Sequence, residues 1–248
     1  MPKLYISLII PCYNEGSTFE KSVKQIITEL KKLRKSWEII FVDDKSTDKT
    51  RQAVEKLVKE IPQSKAIFHK KNEGRGKSVA DGIKASKRTI CGYLDVDLEV
   101  SEKYIPLFIK EIEKGNDLVV GKRFYEGGLK NLTRLVSSKA YSLAVKTIIK
   151  LPIDDTEAGY KFFNRKKIFP ILNKVEGKHW FWDTEVCARA YWQGLKISQV
   201  PVLFKRRTDK KSTVKIIPDT IDYIKNLIRL KSKFKNQNAK IQFKIQKF

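Results

Sequence analysis

Short apolar runs that end in acidic, turn-forming motifs, each followed by a segment of helical periodicity, constrain this chain more than any other feature. Leu4–Ile10 is such a run and leads into Pro11-Cys-Tyr-Asn-Glu15. Consecutive apolar residues over that length suit a parallel strand buried on both faces. Ser17-Thr-Phe-Glu20 fits a capping box, and Val23, Ile26, Ile27 and Leu30 then recur at helical spacing. Glu38–Val42 reads as a second strand ending on Asp43-Asp-Lys-Ser-Thr-Asp48, with a helix from about Thr47 to Glu60 carrying Val54, Leu57 and Val58. Lys65–Phe68 is a third strand, and the Gly-rich turn Asn72–Gly76 opens a helix that runs through Ala85. Ile90–Leu94 is a fourth strand with Asp95–Glu99 at its carboxyl end, followed by a helix over Ser101–Lys114 and a fifth strand, Asp117–Val120.

This order predicts an α/β fold with a mostly parallel central sheet, flanking helices and right-handed crossovers. Ligands of open α/β sheets bind outside the carboxyl ends of the strands, so the polar motifs are expected to converge on one crevice. The second half is less regular. Leu132–Leu151 reads as a basic amphipathic helix, Gly159–Phe163 as a strand, Phe181–Trp192 as a helix and Leu195–Phe204 as a strand. Pro218–Leu230 is helical, with Ile221, Ile224, Leu227 and Ile228 on one side. From Lys231 the tail is basic, with Ile241, Phe243 and Ile245 alternating with polar residues; disorder, an added strand and a membrane-surface segment all fit it. The length of 248 residues suits one α/β domain over 1–215 with a basic amphipathic helix and tail over 216–248.

The formal net charge of +24 favours polyanionic partners: nucleic acid, anionic lipid or phosphorylated substrates. It is concentrated near the end, where Leu203–Phe248 carries 14 Lys/Arg against 3 Asp/Glu. Helix-turn-helix, RNA-recognition and zinc patterns are missing, which argues against a nucleic-acid partner. Cys12, Cys91 and Cys187 have no CxxC or Cys/His spacing and read as core thiols in a reducing compartment. The N-terminus is no signal peptide, and no run reaches the roughly 18–20 apolar residues of a spanning helix. A cytoplasmic, peripherally membrane-associated protein is expected, with or without a separate membrane subunit.

Asp95-Val-Asp97, with Glu99 one step beyond, is the centre of the expected chemistry. Two nearby carboxylates repel unless a cation neutralises them, and Mg²⁺ or Mn²⁺ is commonly held by one or two carboxylates plus substrate phosphates. Carboxylates in the motifs after the first two strands can accept from ribose hydroxyls or base N–H groups, and Tyr13 can stack on a base. Ser46 and Asp48 read instead as helix caps. Gly74-Arg-Gly-Lys-Ser78 resembles the end of a P-loop, but Lys71 stands where the first glycine belongs. Backbone N–H groups at that helix start could still face a phosphate.

Taken together, PCYNE, VDDKSTD, NEGRGKSVADG and LDVDLE resemble the family-2 glycosyltransferases of GT-A fold. Gly121-Lys-Arg-Phe124, Asp155-Thr-Glu-Ala-Gly-Tyr-Lys161, Phe181-Trp-Asp-Thr-Glu185 and Pro201-Val followed by Arg206–Lys215 are similar to the polyprenyl-phosphate branch, which includes dolichyl-phosphate mannose and glucose synthases. The resemblance covers about Leu4 to Leu230. It implies that Pro11, Tyr13, Glu15, Asp43 and Asp44 hold the nucleoside, and that Asp95 and Asp97, with Glu99, hold the metal and diphosphate. It places Lys77, Arg207, Ser212 and Lys215 at the donor phosphates, Arg123 near the reacting phosphates, Arg134 and Ser138 at the lipid phosphate, and Asp183 towards sugar and acceptor. The chain departs from its apparent relatives at Ala158, where Cys or Ser is common, and at Lys211, where Gly is common.

The expected reaction is metal-dependent inverting transfer of a hexose from a UDP- or GDP-sugar to a polyprenyl phosphate at an anionic membrane surface. The phosphate nucleophile needs no general base; it needs cations, here Arg123, Arg134 and the metal. Transfer to a sugar hydroxyl is the rival, with Asp183 or Asp155 as base. A non-catalytic nucleic-acid-binding protein and a P-loop hydrolase dependent on Lys77 are more distant rivals.

Overall fold

The expected alternation is present throughout the first half. It runs β1 (Ile6–Cys12), α1 (Phe19–Lys32), β2 (Trp37–Asp43), α2 (Thr50–Glu60), β3 (Ser64–Phe68), α3 (Arg75–Ala85), β4 (Ile90–Leu94), α4 (Ile105–Glu113) and β5 (Leu118–Tyr125). The second half contributes α5 (Leu132–Ile148), β6 (Tyr160–Asn164), α6 (Arg165–Leu172), α7 (Trp182–Trp192), β7 (Ile197–Phe204) and α8 (Ile216–Ile245). The computed structural model describes residues 5–125, 132–206 and 216–245. The undecided tail continues α8 as helix as far as Ile245.

The strands form one seven-stranded sheet in the order β3-β2-β1-β4-β6-β5-β7. All neighbours pair in parallel except β6, which runs antiparallel to both β4 and β5. This reversed strand matters for function. Its amino end meets the carboxyl end of β4, with Leu94 opposite Tyr160, so the segment from Asp155 to Gly159 arrives at the edge where the parallel strands terminate.

Every residue of β1 is buried, as a strand covered on both faces requires. On one face Ile6, Leu8 and Ile10 join Phe19, Val23, Ile26 and Leu30 of α1 and Phe108, Ile109 and Ile112 of α4 in a single core. On the other, Ile9 lies directly under Gly82 of α3. The expected capping box does not form. A 3-10 turn, Gly16–Thr18, precedes α1, and neither element has a side-chain cap. The N–H groups of Glu15 and Gly16 instead donate to Thr50 Oγ1 at 2.8 Å and Asp48 Oδ2 at 3.1 Å. Long-range bonds to the next loop thus anchor the entry to this turn where no local cap forms.

The chain forms two compact units, Met1–Gly127 with Asp155–Arg207, and Gly128–Asp154 with Thr208–Phe248. This differs from a division at residue 215, because α5 falls in with α8. In that second unit the rings of Tyr141 and Tyr223 meet edge-to-face, 4.8 Å apart, joining the two helices. Leu227 and Leu230 of α8 are buried, whereas Ile221, Ile224 and Ile228 are exposed.

The contact between α3 and β1 has no room for a methyl group. A Cβ on Gly82 would lie 2.5 Å from Ile9 Cγ2, a side chain itself wholly buried. Gly82→Ala should destabilise the protein by about 1–3 kcal/mol through overpacking. Urea unfolding measures this, and an unchanged midpoint would show that α3 shifts freely.

Candidate active site

The loops after β1 and β2 are laced together. Asn14 adopts a left-handed conformation, φ 52°, and its Oδ1 accepts the N–H of Thr47 at 2.8 Å. Its own N–H donates to Ser46 Oγ at 3.0 Å. Ser46 therefore joins two strand ends rather than capping a helix, and Asp48, one residue before the α2 N-cap Lys49, accepts from the N–H of Thr50 at 2.9 Å. The β1–β2 register sets Pro11 beside Val42 and Cys12 beside Asp43. Pro11, Tyr13, Glu15 and Asp43 thus gather at adjacent strand ends, with Asp43 buried and Tyr13 exposed. Burial and the charges of Glu15 and Asp43 push the Cys12 thiol well up, and all three cysteines are free and buried.

Asp44 has a structural task. One oxygen accepts from Glu73 N–H and the other from Gly74 N–H, each at 2.8 Å, and His69 Nδ1 lies 2.7 Å from the first. The carboxylate pins the third loop, where Gly74 has φ 99° and a Cβ would strike the Lys178 carbonyl at 2.4 Å. The expectation of phosphate-facing N–H groups at the start of α3 is corrected by the same geometry. The N–H of Lys77 donates to Lys178 O at 2.9 Å and that of Ser78 to Gly74 O at 3.0 Å. The Lys77 ammonium is paired with Asp81.

Asp95 follows β4 directly. Its Oδ1 accepts both Arg75 Nε at 2.8 Å and Arg75 Nη2 at 2.6 Å. Its Oδ2 lies over the Cα of Gly159, where a Cβ would approach to 1.8 Å, so only glycine fits at 159. Burial pushes the Asp95 carboxyl up to about 6; Arg75 opposes this and the nearby charge of Asp97 adds to it. Strand alternation stops at Leu94, and Leu98 sits in a left-handed turn at φ 55°. The Asp97 carboxylate accepts the N–H of Glu99 at 3.1 Å. Among the described residues no group of three or more His, Cys, Asp or Glu side chains forms a metal cage. Two mutually repelling carboxylates fit an ion that takes its remaining ligands from phosphates. Of the two, Asp95 has its Oδ1 on Arg75 and its Oδ2 beside Gly159, and Asp97 follows two residues on.

Arg123, on β5, grips Asp155 with Nε at 2.7 Å and Nη2 at 2.9 Å, and its own N–H adds a third bond at 3.1 Å. Burial opposes the Asp155 charge, but this pairing prevails and holds the carboxyl below its usual value. Glu157 lies 3.7 Å from Arg123, and burial pushes its carboxyl up to about 7. Asp183, in the first turn of α7, is only 1% exposed. Lys161 Nζ and Arg75 Nη1 each donate to it at 2.6 Å, and the Tyr93 hydroxyl donates as well.

The structure therefore gathers Asp95, Asp97, Arg123, Asp155 and Asp183 along the carboxyl edge of the sheet, with Pro11, Tyr13, Glu15 and Asp43 at the neighbouring strand ends. Arg207, Ser212 and Lys215 lie outside the described residues. Arg134 and Ser138 fall within α5, and their side chains are likewise outside the described set. Sequence reasoning passed over Arg75, Tyr93 and Lys161. A lysine between Tyr160 and Phe162 in an apolar strand was the available signal, since a charge there demands a partner.

The model of Glycosyl transferase family 2 matches residues 7–172, and the chain belongs to that family. Glycosyltransferase AglD of Haloferax volcanii is 25% identical over 229 residues, covering 90% of this chain and 36% of AglD. A dolichyl-phosphate beta-glucosyltransferase of Trichomonas vaginalis is 30% identical over 215 residues, covering 80% of this chain and 65% of the relative. The chain thus spans less than two thirds of the length of these curated relatives. Glucosyl-3-phosphoglycerate synthase from Mycobacterium tuberculosis, solved with Mn²⁺, uridine-diphosphate and phosphoglyceric acid, superposes with a TM-score of 0.66 at 17% identity, over 91% of this chain and 76% of that one. That likeness establishes the GT-A fold, an α/β sheet that is mostly parallel and flanked by helices.

The Glu157 carboxyl moves from an ordinary 4.5 to about 7 on folding. The folded state then holds an extra proton between those values, so the contribution to stability is complete below 4.5 and is lost as pH rises to about 7. Glu157→Gln should flatten this part of the melting temperature against pH. An identical slope in the variant would assign the titration to another group.

Proposed function

We propose that this chain transfers a hexose from a UDP- or GDP-sugar to a polyprenyl phosphate, with inversion, at a membrane surface. The observation that carries the reading is the state of the two expected bases. Asp183 accepts from Arg75, Lys161 and Tyr93, and Asp155 accepts a bidentate arginine, so both carboxylates are committed to cations. An acceptor that brings its own negative charge needs neither: a phosphate monoester has its second pKa near ~6 and attacks as the dianion. Glucose is the first sugar to test, because the Trichomonas vaginalis relative bears a dolichyl-phosphate beta-glucosyltransferase name.

In this reading Pro11, Tyr13, Glu15 and Asp43 hold the nucleoside. Asp97, supported by Asp95 and Glu99, holds Mg²⁺ or Mn²⁺, which supplies charge stabilisation to the leaving diphosphate. Lys77, Arg207, Ser212 and Lys215 attend the donor phosphates, and Arg134 and Ser138 the acceptor phosphate. Arg123, kept rigid by Asp155, is a fixed hydrogen-bond donor beside the reacting groups. Among the described residues no helix is long and apolar enough to cross a membrane. Helix α8 offers a peripheral contact: Ile221, Ile224 and Ile228 are exposed together with Lys225, Arg229 and Lys231. An apolar stripe with basic flanks suits an anionic leaflet, with or without a membrane subunit.

One observation favours transfer to a sugar hydroxyl instead. Glu157, with its carboxyl pushed up to about 7, is matched to general-base work near neutral pH. The test combines a panel of UDP- and GDP-sugars with polyprenyl phosphate or oligosaccharide acceptors, in Mn²⁺ or EDTA. Lipid-linked product should form only with metal and fall about 10²-fold or more in Asp97→Ala. Glu157→Gln should leave lipid transfer within a few-fold of wild type; a loss of about 10²–10⁴-fold, with an oligosaccharide product, would replace this reading by hydroxyl transfer.

A further inference from the structure

We infer that Arg75 is a positioning residue, tying Asp95 on one side of the crevice to Asp183 on the other and setting how the two carboxylates face the reacting groups. The inference rests on the function proposed above but adds a residue which that reading does not use. Arg75 opens α3, in the loop pinned by Asp44, and its side chain is 14% exposed. Three of its nitrogens are engaged: Nε and Nη2 on Asp95 Oδ1, and Nη1 on Asp183 Oδ2. Its guanidinium carbon lies 5.4 Å from the ring centres of both Tyr93 and Trp180. Carboxylates therefore hold the edges of the plane while aromatic rings flank it, which leaves it few alternative orientations.

This cation is the bonded partner of Asp183 Oδ2 and of Asp95 Oδ1. Asp183 is buried, and Lys161 Nζ meets only one of its oxygens. Asp95 is pressed onto the Cα of Gly159, and among the described residues Arg75 is the cation bonded to its Oδ1. Arginine is required rather than lysine. A planar fork spans two acceptors in fixed directions, whereas an ammonium is a point charge on a flexible stem. Its side-chain bonds go to Asp95 and Asp183 and not to Pro11, Tyr13 or Asp43, so its substitution is expected to lower turnover while leaving metal-free nucleoside binding in place.

Two measurements test the bridge. In ¹⁵N-labelled protein, the Arg75 Nε–H resonance, assigned by its loss in Arg75→Lys, should be protected from exchange and should move in both Asp95→Asn and Asp183→Asn. A resonance indifferent to either substitution would overturn the bridge, and this readout holds whether or not any lipid product is made. In the transfer assay, Arg75→Lys and Arg75→Met should each lower kcat by about 10²-fold, the scale of a misplacement of roughly 1 Å. Calorimetric affinity for UDP or GDP in EDTA, where Asp95 has no metal to help hold, should stay within about threefold of wild type. Full turnover in a folded variant, or nucleotide affinity falling in step with kcat, would overturn the positioning role. Wild-type protein that transfers no sugar to lipid would defeat the function proposed above, while the resonance experiment still decides the bridge.

Discussion

A carboxylate removed from water has to be matched by positive charge, and Asp183 imposes that condition on the whole crevice. Its partners come from separate parts of the chain: Arg75 from the start of α3, Lys161 and Tyr93 from the paired strands β6 and β4. Satisfying one buried anion therefore brings α3, α7, β4 and β6 together. An isolated charge in such a place would cost several kcal/mol, on the order of the net stability of a domain. Gly159 and Gly76 follow from the same crowding. A Cβ on Gly76 would lie 2.2 Å from Trp182 Cβ, in the residue next to Asp183.

The antiparallel strand β6 completes the arrangement. The parallel strands alone would present the motifs after β1, β2 and β4 at one edge. Reversing β6 delivers Asp155, Glu157 and Gly159 to that edge from the opposite direction. Arg123 at the end of β5 can then close on Asp155. A crevice lined by both kinds of strand end can hold groups on two sides of a reacting centre, which parallel strand ends on one side cannot.

Much of the first half was legible because it is governed by local periodicity. β4 was read to the residue, and the other early strands and helices to within a few residues, since burial on both faces leaves an apolar run that turn motifs delimit. The capping box at Ser17 failed because the chain enters α1 through a 3-10 turn beginning at Gly16, anchored by the Glu15 and Gly16 N–H groups on Thr50 and Asp48, more than thirty positions away. No local pattern records such a bond. α6 went unread because Arg165–Leu172 opens on three basic residues and contains Pro170, which mask its short apolar face. The reversal of β6 was equally illegible, as strand direction follows from pairing and not from composition. In the site, acidic strand-end motifs stood out, whereas Arg75 lay inside what looked like a phosphate loop.

The distribution of charge bears on how such a site meets anionic substrates. The chain carries +24, yet the cations deepest in the crevice are already committed: Arg75 to Asp95 and Asp183, Lys161 to Asp183, Arg123 to Asp155. These pairs shape the site more than they attract ligands, because a cation neutralised by a carboxylate projects little field. Attraction at a distance must come from the basic surface, including α8 with Lys225, Arg229 and Lys231, and is screened beyond about 8–10 Å at physiological salt. Charge thus does two separable jobs in this protein. Paired charges inside hold geometry and are shielded from salt, while exposed charges outside gather substrate or membrane and are weakened by it. Ionic strength should therefore act on encounter and leave the arrangement of the reacting groups unchanged.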